Sequence, residues 1–432
     1  MVKIMEKIDC DRTGVKIRKK TLKNIVLLLP FFEPMLFGFL EEKGINIRLW
    51  GTIGNVFLLM RIAIVAITLF KSFRLLIIRR LHLGKSLTLL VINVFMWGVS
   101  SFITHTSDLR LWVNIIQNIG FILLCSILID ESENDFFKAS IAVFGVLSSV
   151  GVASIVLHPL GYFNAKTTND ALYFLGGKNG SFPYYFSLFF CVIAYYLVWK
   201  RKKPRIAGWI LVTIGAALIC HSSNSVLCLL LIWGCLVLAG CPPTVVKKIN
   251  PKMITIIIIV FITTIYIGNI SSSVTTLLGR IGRDSTFSGR DVLWSQALSY
   301  ITKSPLWGVG TNAKFILRDL RDAGHAHSQY LHRLALHGLI PFSFFVMSII
   351  AIYRKGDKIR NKYNVHIIEL LMSVYLLHMA FDTYPYYYFI LMIVITDRSL
   401  DKLSERIRIP RYMVQDTLQR QEEKDGTVNN FV

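Results

Sequence analysis

The feature that most limits what this chain can become is an apolar run of roughly 17 to 22 residues that keeps recurring between Leu22 and Asp397. At about 1.5 Å per residue, each run can cross a hydrocarbon core of about 30 Å as a helix. The runs are too long and too uniformly apolar for barrel strands, which alternate. Hydrophobic residues make up 53% of the 432 and charged ones only 17%, with mean hydropathy +0.53. A domain surrounded by water does not tolerate that balance over its whole length. The expected fold class is therefore all-α, a polytopic transmembrane helical bundle of about 12 spans. They start near Leu22, Leu49, Ser86, Trp112, Ala139, Tyr184, Ile206, Ser223, Met253, Leu331, Val365 and Tyr386. The last is short and rich in tyrosine, so eleven spans is the alternative count.

Lysine and arginine set the expected orientation. With both termini cytoplasmic, the inside segments hold most of the 48 Lys and Arg, as the positive-inside rule requires. The clusters "KIRKK", "KSFRLLIIRR", "KRKKPR" and "YRKGDKIRNK" read as anchors against anionic lipid. The formal charge of +22 thus has the bilayer as its partner and implies no nucleic acid. The polar first 21 residues lack a small-residue cleavage site behind a short apolar core, so a retained anchor is expected rather than a removed signal. All seven cysteines fall in the N-terminal tail, in spans or at their cytoplasmic ends, which leaves no disulfide outside.

The resulting organisation is a cytoplasmic tail over 1–21, helices one to nine over 22–272, an extracytoplasmic loop over 273–330, helices ten to twelve over 331–397, and a cytoplasmic tail over 398–432. That last tail starts with Leu400, Leu403 and Ile407 among charges, the pattern of a short surface helix. The 273–330 loop is the longest connection, and long ordered connections are where sites are built. Within it, "SGRDVLWSQALSYITKSPLWGVG" reads as a helix: Ser288 and Asp291 form a capping box, apolar residues recur from Val292 to Ile301, and Pro305, Gly308 and Gly310 stop it. Its aromatics suggest a helix lying in the outer interface.

Arg290 falls in the first turn of that helix, with Arg280 and Arg283 upstream. A cation there opposes the helix dipole by about 0.3 to 1 kcal/mol, which an anion would offset. Backbone N–H groups at a helix start, joined by a planar guanidinium, suit phosphate oxygens. An ordinary surface ion pair of Arg290 with Asp284 or Asp291 is the plainer alternative. The run "HAHSQYLHRLALHG" then holds four of the ten histidines. On one helix, His332 is turned from His327 by about 140° and His337 by about 80° the other way, so they do not converge on a metal; no HExxH motif is present either. His332 and His337 read as packing residues, and His325 as a solvated loop residue. His327 stands at the outer mouth, where neighbouring guanidinium groups favour the neutral imidazole that a general base needs. Gly338 falls on nearly the same face, three turns deeper, as a place for close helix approach.

Together, the spans, the late outside loop and "HSQYLHRLALHGL" resemble the bacterial O-antigen ligase and polymerase superfamily, in detail over about Arg280 to Ile340 and more loosely in "LLPFFEP" and "GGKNGSFPYY". Within it the chain looks most like capsule and exopolysaccharide repeat-unit polymerases. The resemblance implies glycan transfer from a polyprenyl diphosphate carrier on the outer face of the cytoplasmic membrane, with a carrier-linked oligosaccharide as donor and another as acceptor, and no cofactor or metal. The family's His, followed by Asn, Ser or Gln and then by Gly after nine residues, matches His327, Ser328 and Gly338. Pro341 departs from the ligase pattern three positions later. The family's loop-helix arginine corresponds to Arg290, and an earlier outside basic position has Lys178 as its approximate counterpart.

The implied reaction has His327 accepting the acceptor's proton, with Arg290, Arg280, Arg283 and Lys178 facing the diphosphate. No convincing pair of outside carboxylates exists for a covalent intermediate, so displacement with inversion is expected. Asp382, in "FDTYPYYY", is the alternative acid or base. Competing readings are a ligase that transfers finished polymer to another acceptor, and a flippase or other transporter, for which Arg61 and His378 would be mid-membrane candidates. A chain-length regulator is a candidate partner of the C-terminal tail.

Overall fold

The computed structural model describes residues 18–34, 48–78, 83–162, 171–267, 290–311, 313–317, 323–359 and 362–408. Over these the chain is a bundle of α-helices: α1 (Lys19–Leu28), α2 (Arg48–Ile77), α3 (Lys85–Ile103), α4 (Leu109–Glu131), α5 (Glu133–Leu157), α6 (Phe182–Ala194), α7 (Ala207–Ile219), α8 (Ser223–Leu238), α9 (Pro251–Ile267), α10 (Arg290–Lys303), α11 (Gln329–His337), α12 (Leu339–Asp357), α13 (Lys362–Phe381) and α14 (Tyr387–Arg408). A 3₁₀ turn, Leu29–Phe32, follows α1, and a π-helical turn, Tyr195–Lys200, extends α6. The only strands among the described residues are β1 (Leu172–Tyr173) and β2 (Gly176–Gly177), paired antiparallel.

Among the described residues, seven helices are long and apolar enough to cross a membrane: α2 from Thr52, α3, α4, α5, α6 with its π turn, α12 and α13. Helices α7, α8 and α9 are shorter apolar ones. The protein is a polytopic helical membrane protein. Each of the twelve expected starts falls at or in a helix, but two segments differ from the expectation in instructive ways.

The first is the tyrosine-rich last segment. Residues Tyr387 to Ile395 are all buried, so α14 is the central strut of the bundle, packed against α4 and α6. The tyrosines find polar partners inside: Tyr387 Oη donates to Gln117 at 2.9 Å and Tyr386 Oη to Asn93 at 3.0 Å. Helix α14 then runs on without a break past Asp397, with Leu400 and Leu403 buried. The leucines among charges belong to this continuing helix, and the boundary expected after Asp397 lies within it.

The second is the tenth segment, expected as one helix. It is two, because Gly338 has φ +79°. A Cβ at Gly338 would sit 2.3 Å from the Leu306 carbonyl oxygen, so glycine is required by a close backbone crossing. The turn that follows α10 pairs with this junction through four backbone hydrogen bonds: Val309 N–H to Ala335 O, Gly310 N–H to Leu336 O, Leu339 N–H to Pro305 O and Ile340 N–H to Leu306 O, at 2.8 to 3.1 Å. Gly338 is therefore not on a common helix face with His327; it terminates α11.

Helix α10 forms where its periodicity places it. Its apolar stripe, Leu293, Trp294 and Ala297, is buried against Phe315, Ala326, Leu331 and Ala335. The residues that suggest an interfacial helix are spent on protein packing, and they fix α10 onto α11.

Candidate functional site

Four separate segments meet at the end of the bundle where α5 finishes and α14 begins. The 323–328 segment leads into α11, whose first turn is capped by Ser328: its Oγ accepts from the Leu331 N–H at 3.3 Å. Ser328 is fully buried, and its hydroxyl also meets Tyr266 Oη of α9 at 2.7 Å. A serine in this position satisfies an otherwise unpaired helix N–H. The residue before it, His327, has φ +48°. A left-handed conformation is uncommon for a side chain of this size, and strain of this kind gathers at functional sites.

His327 Nδ1 faces Asp382 Oδ1 at 3.6 Å, the imidazole 33% exposed and the carboxylate 8%. That is an ion-pair separation, longer than a hydrogen bond. Asp382 precedes α14, and its other contacts hold it firmly: the Thr383 N–H donates to Oδ1 at 2.9 Å and the Gln329 N–H to its carbonyl at 3.1 Å. Arg290, the first residue of α10, reaches the same corner, where Nη1 donates to the Phe381 carbonyl at 2.5 Å. Burial alone would raise the Asp382 carboxyl, but His327, Arg290 and His378 around it outweigh that and hold it below the usual carboxylate range. It is an anion.

His325 is half-buried rather than solvated. Its ring lies 4.3 Å from that of His327, and its Nδ1 accepts the His327 backbone N–H at 3.2 Å. Accepting that bond requires an unprotonated Nδ1. Burial first, then the neighbouring His327, pushes His325 down to about 4, so this ring is neutral near neutrality. The remaining histidines diverge. His332 packs on Phe315 at 5.4 Å and His337 stacks on Trp97 at 5.5 Å. His378 is buried against Phe182, ring centroids 3.7 Å apart. Among the described residues, no group of three His, Cys, Asp or Glu side chains is placed to hold a metal ion.

The other expected residues divide into those near the corner and those beyond description. Lys178 lies in the turn after β2, half-buried. Its neighbour Asn179 accepts from Tyr384 Oη through the backbone carbonyl at 3.1 Å, so this turn is tied directly to the Asp382 loop. Arg280 and Arg283, like Ser288 of the expected capping box, lie outside the described residues. Arg61 is paired with Glu33 at 3.5 Å. Tyr266, Gln329 and Tyr384 were not singled out by the sequence. Gln329 bridges the segments, its side-chain oxygen accepting from the Tyr384 N–H at 3.3 Å.

The fold and this corner define a polytopic helical membrane protein with a polar, strained cluster of Arg, His and Asp at one end of its bundle. Residues 179–346, a segment that includes Arg290 and His327, match the family model described as O-antigen ligase, a similarity consistent with the O-antigen ligase and polymerase superfamily. No curated protein matches the chain. The match supports a membrane enzyme of the ligase or polymerase type acting on lipid-linked polysaccharide.

Proposed function

We propose that the protein polymerises polyprenyl-diphosphate-linked oligosaccharide repeat units into a surface polysaccharide (O-antigen, capsular or exopolysaccharide) on the outer face of the cytoplasmic membrane, with both termini inside. The convergence of Arg290, His327 and Asp382 from three distant parts of the chain carries this reading.

The two residues weighed as alternative bases work as a pair. Asp382 is anionic and faces Nδ1, which favours a proton on that nitrogen and leaves Nε2 as the base. The acceptor hydroxyl loses its proton to Nε2 as its oxygen attacks the anomeric carbon of the donor. The bond from that carbon to the diphosphate oxygen breaks, and the diphosphate leaves with the electron pair. Asp382 then faces an imidazolium and stabilises it. Arg290 offers guanidinium N–H groups beyond the one given to Phe381, and the first backbone N–H groups of α10 have no partner within the helix. Both suit the charge that builds on the leaving diphosphate. Lys178, Arg280 and Arg283 are its further cationic partners. One displacement inverts the anomeric configuration, and no step calls on a metal.

The description of the matching family favours a second reading, in which finished polymer is transferred to a different acceptor. Lipid-linked glycans of a deletion strain separate the two. A polymerase loss leaves single repeat units on the carrier, whereas a ligase loss leaves long chains. Complementation with His327→Ala or Arg290→Ala at matched membrane levels should fail to restore polymer. Restoration by both would move the site elsewhere, and repeat units trapped on the cytoplasmic face would make the protein a transporter.

A further inference from the structure

At the other end of the bundle, a groove of about 910 Å³ opens between α5 and the junction of α6 with α7. Its mouth carries Lys138, Lys202, Lys203 and Arg205, all exposed. Among the described residues none of the four forms an ion pair; Lys203 donates only to the Gly240 carbonyl, at 3.2 Å. Most acids of this corner are engaged elsewhere. Glu133 pairs with Lys402 and Asp130 with Arg398, while Asp135 is buried and bonded to Thr21 and Ser132, with the charge of Lys138 acting on it at longer range. Behind the cations the groove is lined by Ile141, Ala142, Val192 and Ile206.

The backbone is shaped around this groove. Lys138, Ile141, Ala142 and Gly145 recur at helical spacing and so share one face of α5. A Cβ built on Gly145 would meet no atom within 4 Å, so open space adjoins this face one turn beyond the groove lining. On the facing wall, α6 leaves α-helical geometry at the π turn Tyr195–Lys200, and Arg201 closes it with φ +52°. Such π turns recur at functional sites. This one sets Tyr195 and Tyr196 into the groove wall and aims the chain so that Lys202, Lys203 and Arg205 gather at one mouth.

We infer that this groove is a binding site for an anionic phospholipid, its phosphate against the four cations and one acyl chain along the Ile141–Gly145 face. A basic pocket between membrane helices favours an anionic headgroup, and a trough of this apolarity at the membrane boundary favours a chain over a soluble phosphate. A membrane phospholipid suits it better than the polyprenyl carrier, because the groove lies at the opposite end from the Arg290 and His327 corner.

Native mass spectrometry of the full chain in detergent, titrated in turn with phosphatidylglycerol, phosphatidylcholine and a polyprenyl phosphate, tests this. The wild type should retain phosphatidylglycerol preferentially, and Lys202→Ala/Lys203→Ala/Arg205→Ala should weaken that retention about tenfold or more. A control that removes equal charge from other exposed positions, Lys247→Ala/Lys248→Ala/Arg354→Ala, should retain it. Gly145→Leu, which leaves the charge unchanged and whose Cβ meets no atom within 4 Å, should also weaken it by occupying the space of the chain. Equal loss in the control and the groove variant, equal retention of phosphatidylcholine, or displacement of phosphatidylglycerol by the polyprenyl phosphate would each overturn the assignment.

Discussion

Two buried aspartates, one in the middle of α14 and one just before its start, sit in opposite kinds of surroundings. Asp397, ten residues into the helix, is fully enclosed and held by Lys355 at 2.8 Å and by the Ser86 hydroxyl. Around it, further pairs link neighbouring helices: Lys355 to Asp401, Arg398 to Asp130, and Lys402 to Glu133. Asp382, just before the helix, faces an imidazole at 3.6 Å, with Arg290 committed to the adjacent carbonyl and a neighbouring backbone in left-handed strain. Around Asp397 charges are matched into staples. Around Asp382 they are brought close and left short of full pairing, the arrangement that the proposed site calls for.

The contrast is broken most directly by exchanging a carboxylate for an amide at each position. Asp382→Asn should reduce polymer formation by about two powers of ten or more, the scale of lost acid–base assistance, with little change in melting temperature. Asp397→Asn should do the reverse, melting earlier and keeping activity at low temperature. His327→Ala should match or exceed the Asp382 effect, and Arg290→Ala should cost about two to three powers of ten in rate. A stable, inactive Asp397→Asn, or an active Asp382→Asn, would end the distinction.

Next in size, Lys355→Ala should destabilise the chain by about 3 kcal/mol, since it leaves the enclosed Asp397 facing only a serine; thermal melting in detergent checks it. A smaller effect is expected with pH. The His325 ring stands at about 4 in the folded chain against an ordinary 6.5, so between these values the unfolded chain binds more protons. The stability linked to the neutral ring is complete above about 6.5 and is lost as pH falls toward 4. His325→Gln should flatten that part of the melting profile, and an unchanged slope would refute the linkage. The smallest effect belongs to the exposed pair of Lys252 with Asp357, where Lys252→Ala should shift stability by less than about 0.5 kcal/mol.

Periodicity was enough to place the helices, including α10, because a repeat of apolar residues is a local signal that packing then confirms. Two features were not local. The sequence marked Gly338 as small, and a small residue serves equally for close helix approach or for a helix stop. Only the carbonyl of Leu306 crossing beneath it decides for the stop. The pairing of His327 with Asp382 joins residues on either side of three helices, α11 to α13, and no spacing rule spans such a gap. A loop histidine is usually solvated, but His325 is half-buried with the His327 and His332 rings beside it, 4.3 and 6.4 Å away, contacts that the loop's sequence does not announce.

The seam between the turn after α10 and the α11–α12 junction has a consequence for how such a chain can vary. Its four bonds are all main chain to main chain, so they are indifferent to most side chains that pass through them. Side chains around the seam are free to change, while the approach of the turn after α10 to the α11–α12 junction stays constant. The glycines at 308 and 338, whose backbones meet nearly in contact, and at 310, where a Cβ would sit 2.2 Å from the Thr106 hydroxyl, are exempt from that freedom.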